Sequence, residues 1–222
     1  MRDTRTPPAY APPPAEALKI ICKTDQFAVI DKPSALLSVP GRGPDKAICA
    51  QSIVQDRLGE ALTVHRLDMD TSGLMVFART KAAQRALSMA FQDRQVDKTY
   101  NAIVSGVPQS ESGRIDLPIA RFSRQRPLRH VAEAGDADAL PASTSWRLLE
   151  PLDGSARLEL KPITGRSHQL RLHLAAIGHP ILGDVFYGEA ASAPRLLLHA
   201  SMLCFPDPAA ARQRCFDSSP GF

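Results

Sequence analysis

The run His65-Arg66-Leu67-Asp68-Met69-Asp70-Thr71-Ser72-Gly73 leads without a break into Leu74-Met75-Val76-Phe77-Ala78. The second half is a short, continuous apolar run, which reads as a strand buried on both faces. The first half carries a cation, two carboxylates, two hydroxyls and a turn-forming glycine. A polar loop that abuts a buried strand is held over a core, and active groups tend to sit on loops fixed by a rigid scaffold. An Asp/Ser/Thr-rich turn with a cap explains the same residues without any chemistry, so position alone does not decide between the two.

Outward from this segment the chain alternates. Thr80 offers an N-cap, and the helix behind it places Ala83, Ala86, Leu87, Ala90 and Phe91 on one core-facing stripe. Upstream, Ile20-Ile21-Cys22 and Phe27-Ala28-Val29-Ile30 read as strands, the second ending at the turn Asp31-Lys32-Pro33. A helix is expected over Ala47 to Leu58, with Ile48, Val54 and Leu58 apolar. Downstream, Tyr100 to Val104, Arg157 to Leu160 and Leu196 to Leu198 read as strands, and residues 107–142 as loop-rich. Ser167 to Ile177 reads as a helix that turns Leu170, Leu174 and Ile177 inward and stops at Gly178. Short links between interleaved strands and helices favour an α+β fold with a mixed sheet over a doubly wound parallel one. Residues 1–15 hold five prolines and are expected to form a disordered or polyproline-like tail. Residues 16–222 are then a single domain, with no fixed-period repeat.

Of the 27 Lys and Arg residues, 20 are arginine, against 23 acidic residues. Guanidinium forks onto phosphates and stacks on bases, so the bias leans towards a polyanionic partner; a GC-rich genome would produce the same bias without one. No apolar stretch of about 18 residues exists, and the N-terminus lacks a signal-type apolar region. Cys22, Cys49, Cys204 and Cys215 form no CxxC pair, so the expectation is a soluble cytoplasmic protein with reduced, mostly buried thiols. No P-loop, HExxH or GxSxG is present, and Gly41-Arg42-Gly43 lacks the third glycine of a dinucleotide loop. His168 and His173 lie about 140° apart around a helix and cannot share a metal on one face. Chemistry without metal or cofactor is the working expectation. A second polar cluster, Lys161 to Arg171, sets Arg166 and Arg171 about a helix start, where N–H groups welcome anions; solvated arginines on an ordinary capped helix are the alternative.

HRLDMDTSGL (65–74) resembles the HRLDxxTSGL signature of the RluA-type pseudouridine synthases. DKPSALLSVPGR (31–42), KTYNAIV (98–104), LKPITGRSHQLRLHL (160–174), GHPILGD (178–184) and RLLLHA (195–200) are similar to further blocks of that family, in its order. Together with the strand from residue 27 they span residues 27–200. The resemblance implies the pseudouridine synthase catalytic fold, a mixed and mostly antiparallel sheet flanked by helices and loops, without an S4 module. The stretch after Leu203 follows the pattern loosely and is expected to form a terminal strand pair.

The implied reaction breaks the glycosidic C–N bond of uridine, turns the base and rejoins it through carbon. It is redox-neutral and needs no ATP, metal or nicotinamide. The implied partners are RNAs, a tRNA anticodon stem-loop modified at uridine 32 and 23S ribosomal RNA at uridine 746, with no membrane and no obligate protein partner, the enzyme being a monomer. By position Asp68 is the catalytic aspartate, attacking the sugar or the base or taking the 2′ proton. Asp70 is the rival carboxylate, at a variable position that suits a surface or capping role. Arg171 would pair with Asp68. Tyr100 would lie against the uracil as stacking platform and C5 base, with Tyr187 its only competitor outside the tail. The target uridine must be flipped out of its stack, and Arg66 resembles the residue that enters the vacated space. Arg166 and Lys32 would contact phosphates or brace the site. Arg121, Arg124, Arg126 and Arg129 match a loop that grips the RNA stem, unless they are only a solvated run. The alternatives are a synthase acting on ribosomal RNA alone, an inactive RNA-binding protein of this fold, and a hydrolase using His65 and Asp68.

Overall fold

The structure, a computed structural model, describes residues 10–122 and 128–222. In chain order its strands and helices are β1 (Lys19–Lys23), β2 (Phe27–Lys32), α1 (Ala50–Leu58), β3 (Leu62–Thr63), β4 (Ser72–Ala78), α2 (Lys81–Gln92), β5 (Asp97–Ser105), β6 (Ser112–Ile115), β7 (Ile119–Arg121), β8 (Arg129–Val131), β9 (Thr144–Leu152), β10 (Ser155–Pro162), α3 (Gln169–Ala176), β11 (Leu198–Pro206) and β12 (Gln213–Asp217). One sheet runs β1-β2-β4-β11-β5-β10-β9-β6, with β12 added to β11 and β3 to β4, while β7 and β8 form a separate hairpin. The β4–β11 pairing is parallel and the other named pairings are antiparallel. The expected α+β architecture with a mixed, mostly antiparallel sheet is what forms.

The apolar runs of β2 and β4 are continuous because both sheet faces are covered. Phe27, Val29, Leu74, Val76 and Ala78 pack with Ala83, Leu87 and Ala90 of α2. Ala28, Ile30, Met75 and Phe77 pack on the other face with Ala50, Ile53 and Val54 of α1. On that same face, but farther along the sheet, Ala102, Val104, Leu158 and Leu160 pack with Leu170 and Leu174 of α3. Tyr100 of β5 touches both of these clusters and so marks the seam between α1 and α3.

Thr80 caps α2 as expected, its hydroxyl accepting from Ala83 N at 3.1 Å. Ala86, placed on the buried stripe from sequence, is exposed. α1 starts at Ala50, three residues late, because Cys49 and Ser52 form a capping box there; Ile48 is left 54% exposed. β11 begins at Leu198, beyond the expected start at Leu196. β9 escaped prediction because the pairing with β10 shifts register between Glu150 and Leu148. The extra residue, Leu149, is a bulge that breaks the alternation a strand would otherwise display.

One expectation is corrected. Cys204 and Cys215 are not free thiols: they stand directly opposite in the β11–β12 register and are joined as a disulfide. A spacing of 11 residues cannot reveal that a hairpin brings the pair face to face. Part of the proline-rich tail is anchored to the domain. The Tyr10 hydroxyl accepts from Leu37 N and donates to Ile48 O, both at 3.0 Å, and Arg57 donates to Ala15 O and Leu18 O. Residues 1–9 lie outside the described residues. Among the described residues no helix is long and apolar enough to cross a membrane.

Candidate active site

The loop between β3 and β4 is held down along its whole length. His65 stacks on Phe91 with ring centroids 4.4 Å apart, and its Nε2 accepts from Val76 N at 3.1 Å. Burial, with a smaller push from Lys98, lowers this imidazole's pKa to about 3; the ring is neutral and structural. Leu67 enters the core, and the Ser38 hydroxyl accepts from its N and donates to its O. Ser34 donates to Asp70 O at 2.7 Å. At the loop's end Gly73 has φ 113, and a Cβ there would stand 2.4 Å from Ala200 O. Only glycine lets β4 come this close to β11.

These restraints present Asp68 at the seam, its side chain 29% exposed. Arg171 Nη1 approaches Asp68 Oδ2 at 3.6 Å, so the expected pairing forms, but it is not the guanidinium's main commitment. Arg171, only 2% exposed, donates Nε to Asp184 Oδ2 at 2.7 Å and Nη2 to Asp184 Oδ1 at 2.6 Å. Asp184 is fully buried and also accepts from the backbone N of Phe186 and Tyr187. Burial alone would raise its pKa, but Arg171 and these N–H groups hold it below the usual carboxylate range. Gly183 sets the turn before it, since a Cβ at that φ of 73 would run into Arg195 O. The Arg171 guanidinium lies 5.0 Å from the Phe186 ring centroid and 5.5 Å from that of Tyr187. His168, in a left-handed conformation at φ 58, places Nε2 3.9 Å from Asp68 Oδ2 and Nδ1 2.9 Å from the Tyr187 hydroxyl.

Tyr100 stands between the two core clusters, and its phenol is pushed up by burial and by the negative charge of Asp68. It is therefore protonated at neutral pH. Asp70 is half-buried, not the surface group expected; burial raises its pKa, opposed by Arg171 and Lys32. Of the two roles expected for Lys32, phosphate contact or brace, its contacts are those of a brace. It is fully buried and gives its three ammonium donors to Pro33 O, Leu36 O and Met69 O at 2.8–2.9 Å, which leaves none for a phosphate. Burial lowers its pKa to about 7. Arg66 is exposed and, among the described residues, has no ion-pair or hydrogen-bond partner. Arg166 is half-buried, with Nε on Pro141 O. Arg121 is exposed and 3.8 Å from Asp138, and Arg129 is half-buried in β8. Arg124 and Arg126 lie outside the described residues. Among the described residues no three His, Cys, Asp or Glu side chains converge to hold a metal ion.

Sequence reasoning missed Asp184 and His168 and saw Tyr187 only as a rival to Tyr100. The signal for Asp184 was an acid closing the GHPILGD block. A carboxylate open to solvent on one side, a guanidinium fixed beside it and a protonated phenol nearby suit nucleophilic or proton-transfer work on a group inserted from outside.

Residues 26–176 match the family described as RNA pseudouridylate synthase. The chain is 45% identical over 218 residues to the dual-specificity RNA pseudouridine synthase RluA of Escherichia coli (strain K12), covering 96% of this chain and 98% of that one. It is 42% identical over 219 residues to the protein of the same name from Pasteurella multocida (strain Pm70), with the same coverage. Among solved structures, human RNA Pseudouridylate Synthase Domain Containing 1 superposes with a TM-score of 0.77 at 30% identity, over 94% of this chain and 86% of that one. Human RNA Pseudouridylate Synthase Domain Containing 4 gives 0.73 at 27% identity, over 93% and 90%.

Proposed function

The chain belongs to the RNA pseudouridylate synthase family, and on that premise we propose that this isomerase is dual in specificity, modifying both a tRNA anticodon stem-loop and 23S ribosomal RNA. The relatives that align along nearly its whole length carry dual specificity in their name, and the sequence blocks favour those two RNAs. In this reading Asp68 is the carboxylate that acts on the flipped nucleoside, Tyr100 stacks on the uracil, and Arg66 fills the space the base leaves. The raised pKa of Tyr100 favours stacking over proton abstraction as its first duty. Arg121, Arg129 and Arg166 take phosphates from the rim of the site, while Lys32 and Asp184 hold its floor.

One observation carries this reading. Asp68 is open to solvent on one side with Oδ2 3.6 Å from Arg171 Nη1, whereas Asp184 is fully buried and spent on that guanidinium. Asp68→Asn keeps the side chain's shape and removes its charge. It is expected to abolish pseudouridine formation on a tRNA anticodon stem-loop and on a 23S fragment, while RNA affinity stays within about tenfold. Carbodiimide mapping and a binding titration measure the two. Turnover by the variant would overturn the assignment of Asp68, and modification of only one RNA by the wild type would overturn dual specificity.

A further inference from the structure

His168 faces Asp68 from an N-cap backbone conformation that residues other than glycine seldom adopt. Its tautomer follows from its neighbours. The Tyr187 hydroxyl accepts the N–H of Arg129 at 2.9 Å. A phenol carries a single proton, and the remaining partner this hydroxyl has among the described residues is His168 Nδ1, at 2.9 Å. Directed at Nδ1, that proton makes this ring nitrogen the acceptor. The neutral imidazole then bears its own hydrogen on Nε2, the nitrogen that points at Asp68 Oδ2 from 3.9 Å. Phe186 stacks parallel to the ring, at 5.6 Å and 15°, and restrains its rotation.

Every charged group around the ring bears on its state. Asp68 and Asp184 favour the imidazolium; Arg171 and Arg129 oppose it, and burial, the largest effect, keeps the ring neutral. Arg171 Nη1 reaches the same Asp68 Oδ2 from 3.6 Å. At their nearest approach both donors face Oδ2, and at these distances neither is yet a hydrogen bond. Both distances are those of an open site, where catalytic contacts are commonly long and tighten once substrate seals them.

We propose that His168, its tautomer set by Tyr187, is a positioning residue that joins Arg171 in fixing the Asp68 carboxylate for the nucleoside. This rests on Asp68 being the reacting carboxylate, and the test separates the two ideas.

Single-turnover and steady-state rates on a stem-loop RNA are compared for the wild type and four variants, with thermal melts as the folding control. His168→Phe keeps the ring and its stacking but has no donor; it lowers kcat by at least about 30-fold with KM within about twofold. His168→Gln returns an N–H to the Nε2 position and restores kcat to within about fivefold of wild type. Tyr187→Phe frees the imidazole to take either tautomer and lowers kcat about tenfold. Combined with His168→Phe it adds no further loss, because both act through one donor. The proposal is overturned if His168→Phe stays within about twofold of wild type, if His168→Gln is as poor as His168→Phe, or if the two losses multiply. Should His168→Phe fail to fold, Tyr187→Phe decides: a kcat loss at unchanged KM supports the relay, and an unchanged kcat removes it. A wild type that forms no pseudouridine would fail the proposed function itself, a result distinct from all of these.

Discussion

Replacing Asp184 with Asn separates what holds Arg171 in place from what Arg171 does. The pair is buried, at 2% and 0% exposure, and bidentate at 2.6–2.7 Å. Removing one partner of such a pair costs about 3–5 kcal/mol, because the other charge stays buried and uncompensated. Asparagine keeps an oxygen for the N–H groups of Phe186 and Tyr187, so the lower end, about 3 kcal/mol, is expected. For a chain of this size that is a fall in Tm of roughly 6–12 °C. The loss also has a pH signature. Asp184 is depressed in the folded state, so its contribution is full above the unfolded carboxylate value of about 3.9 and disappears as pH falls through its lower folded value. The Tm gap between wild type and variant therefore narrows on acidification, which calorimetry from pH 7 downwards measures. The apolar pair Arg171→Met with Asp184→Leu fills the space without charge and recovers most of the stability. It does not recover activity, since no guanidinium remains beside Asp68. A Tm loss under about 2 °C for Asp184→Asn, a gap indifferent to pH, or an active double variant would each refute this account.

Gly73→Ala drives a Cβ to 2.4 Å from Ala200 O and 2.5 Å from Ala200 N, so melting should fall far more than for Gly154→Ala. The latter has φ 63 and open space around it and should lose only about 1–2 kcal/mol of conformational preference; equal losses would mean the β4–β11 contact relaxes freely. His65 binds its proton near pH 3 when folded and near 6.5 when unfolded. Stability is therefore lost as pH falls between those values, by about 2 kcal/mol at pH 5. His65→Gln should show a smaller Tm decline from pH 7 to 5, and parallel declines would contradict the neutral, structural role. Arg66→Ala should slow modification of a folded stem-loop more than of an unstructured oligonucleotide, because only the former must keep its base out of a stack; equal slowing would remove the space-filling role.

The elements legible in the sequence are those whose pattern is local. β2 and β4 are buried on both faces, so they read as unbroken apolar runs, and Thr80 announces α2 because a cap bonds its own first turn. The approach of Arg171 to Asp68 is legible through the motif blocks. What escaped depends on chain segments meeting in space. Lys32 looks like any surface cation until the carbonyls of Pro33, Leu36 and Met69 converge on it. Asp184 reads as the end of a glycine turn, and only the fold shows that it takes the larger share of Arg171. His168 was weighed solely as a metal ligand, by its angular separation from His173 on a regular helix. It is not on that helix: the left-handed cap turns it towards Asp68.

The division of Arg171 between two carboxylates has a chemical consequence. A guanidinium given bidentately to Asp68 would satisfy both of its oxygens in a strong, planar pair, leaving the group well anchored and poorly available. Here the two parallel bonds go to Asp184, and Asp68 Oδ2 faces Nη1 from 3.6 Å. Asp184 thus fixes the guanidinium beside Asp68 in advance, so the reaction proposed at Asp68 needs no reorganisation of this partner. The same arrangement explains why an acid deep in the fold and one at the surface belong to one site. On the proposed role of Asp68, shortening Asp184 releases Arg171 to close fully on it, and activity falls even though that carboxylate has gained a partner.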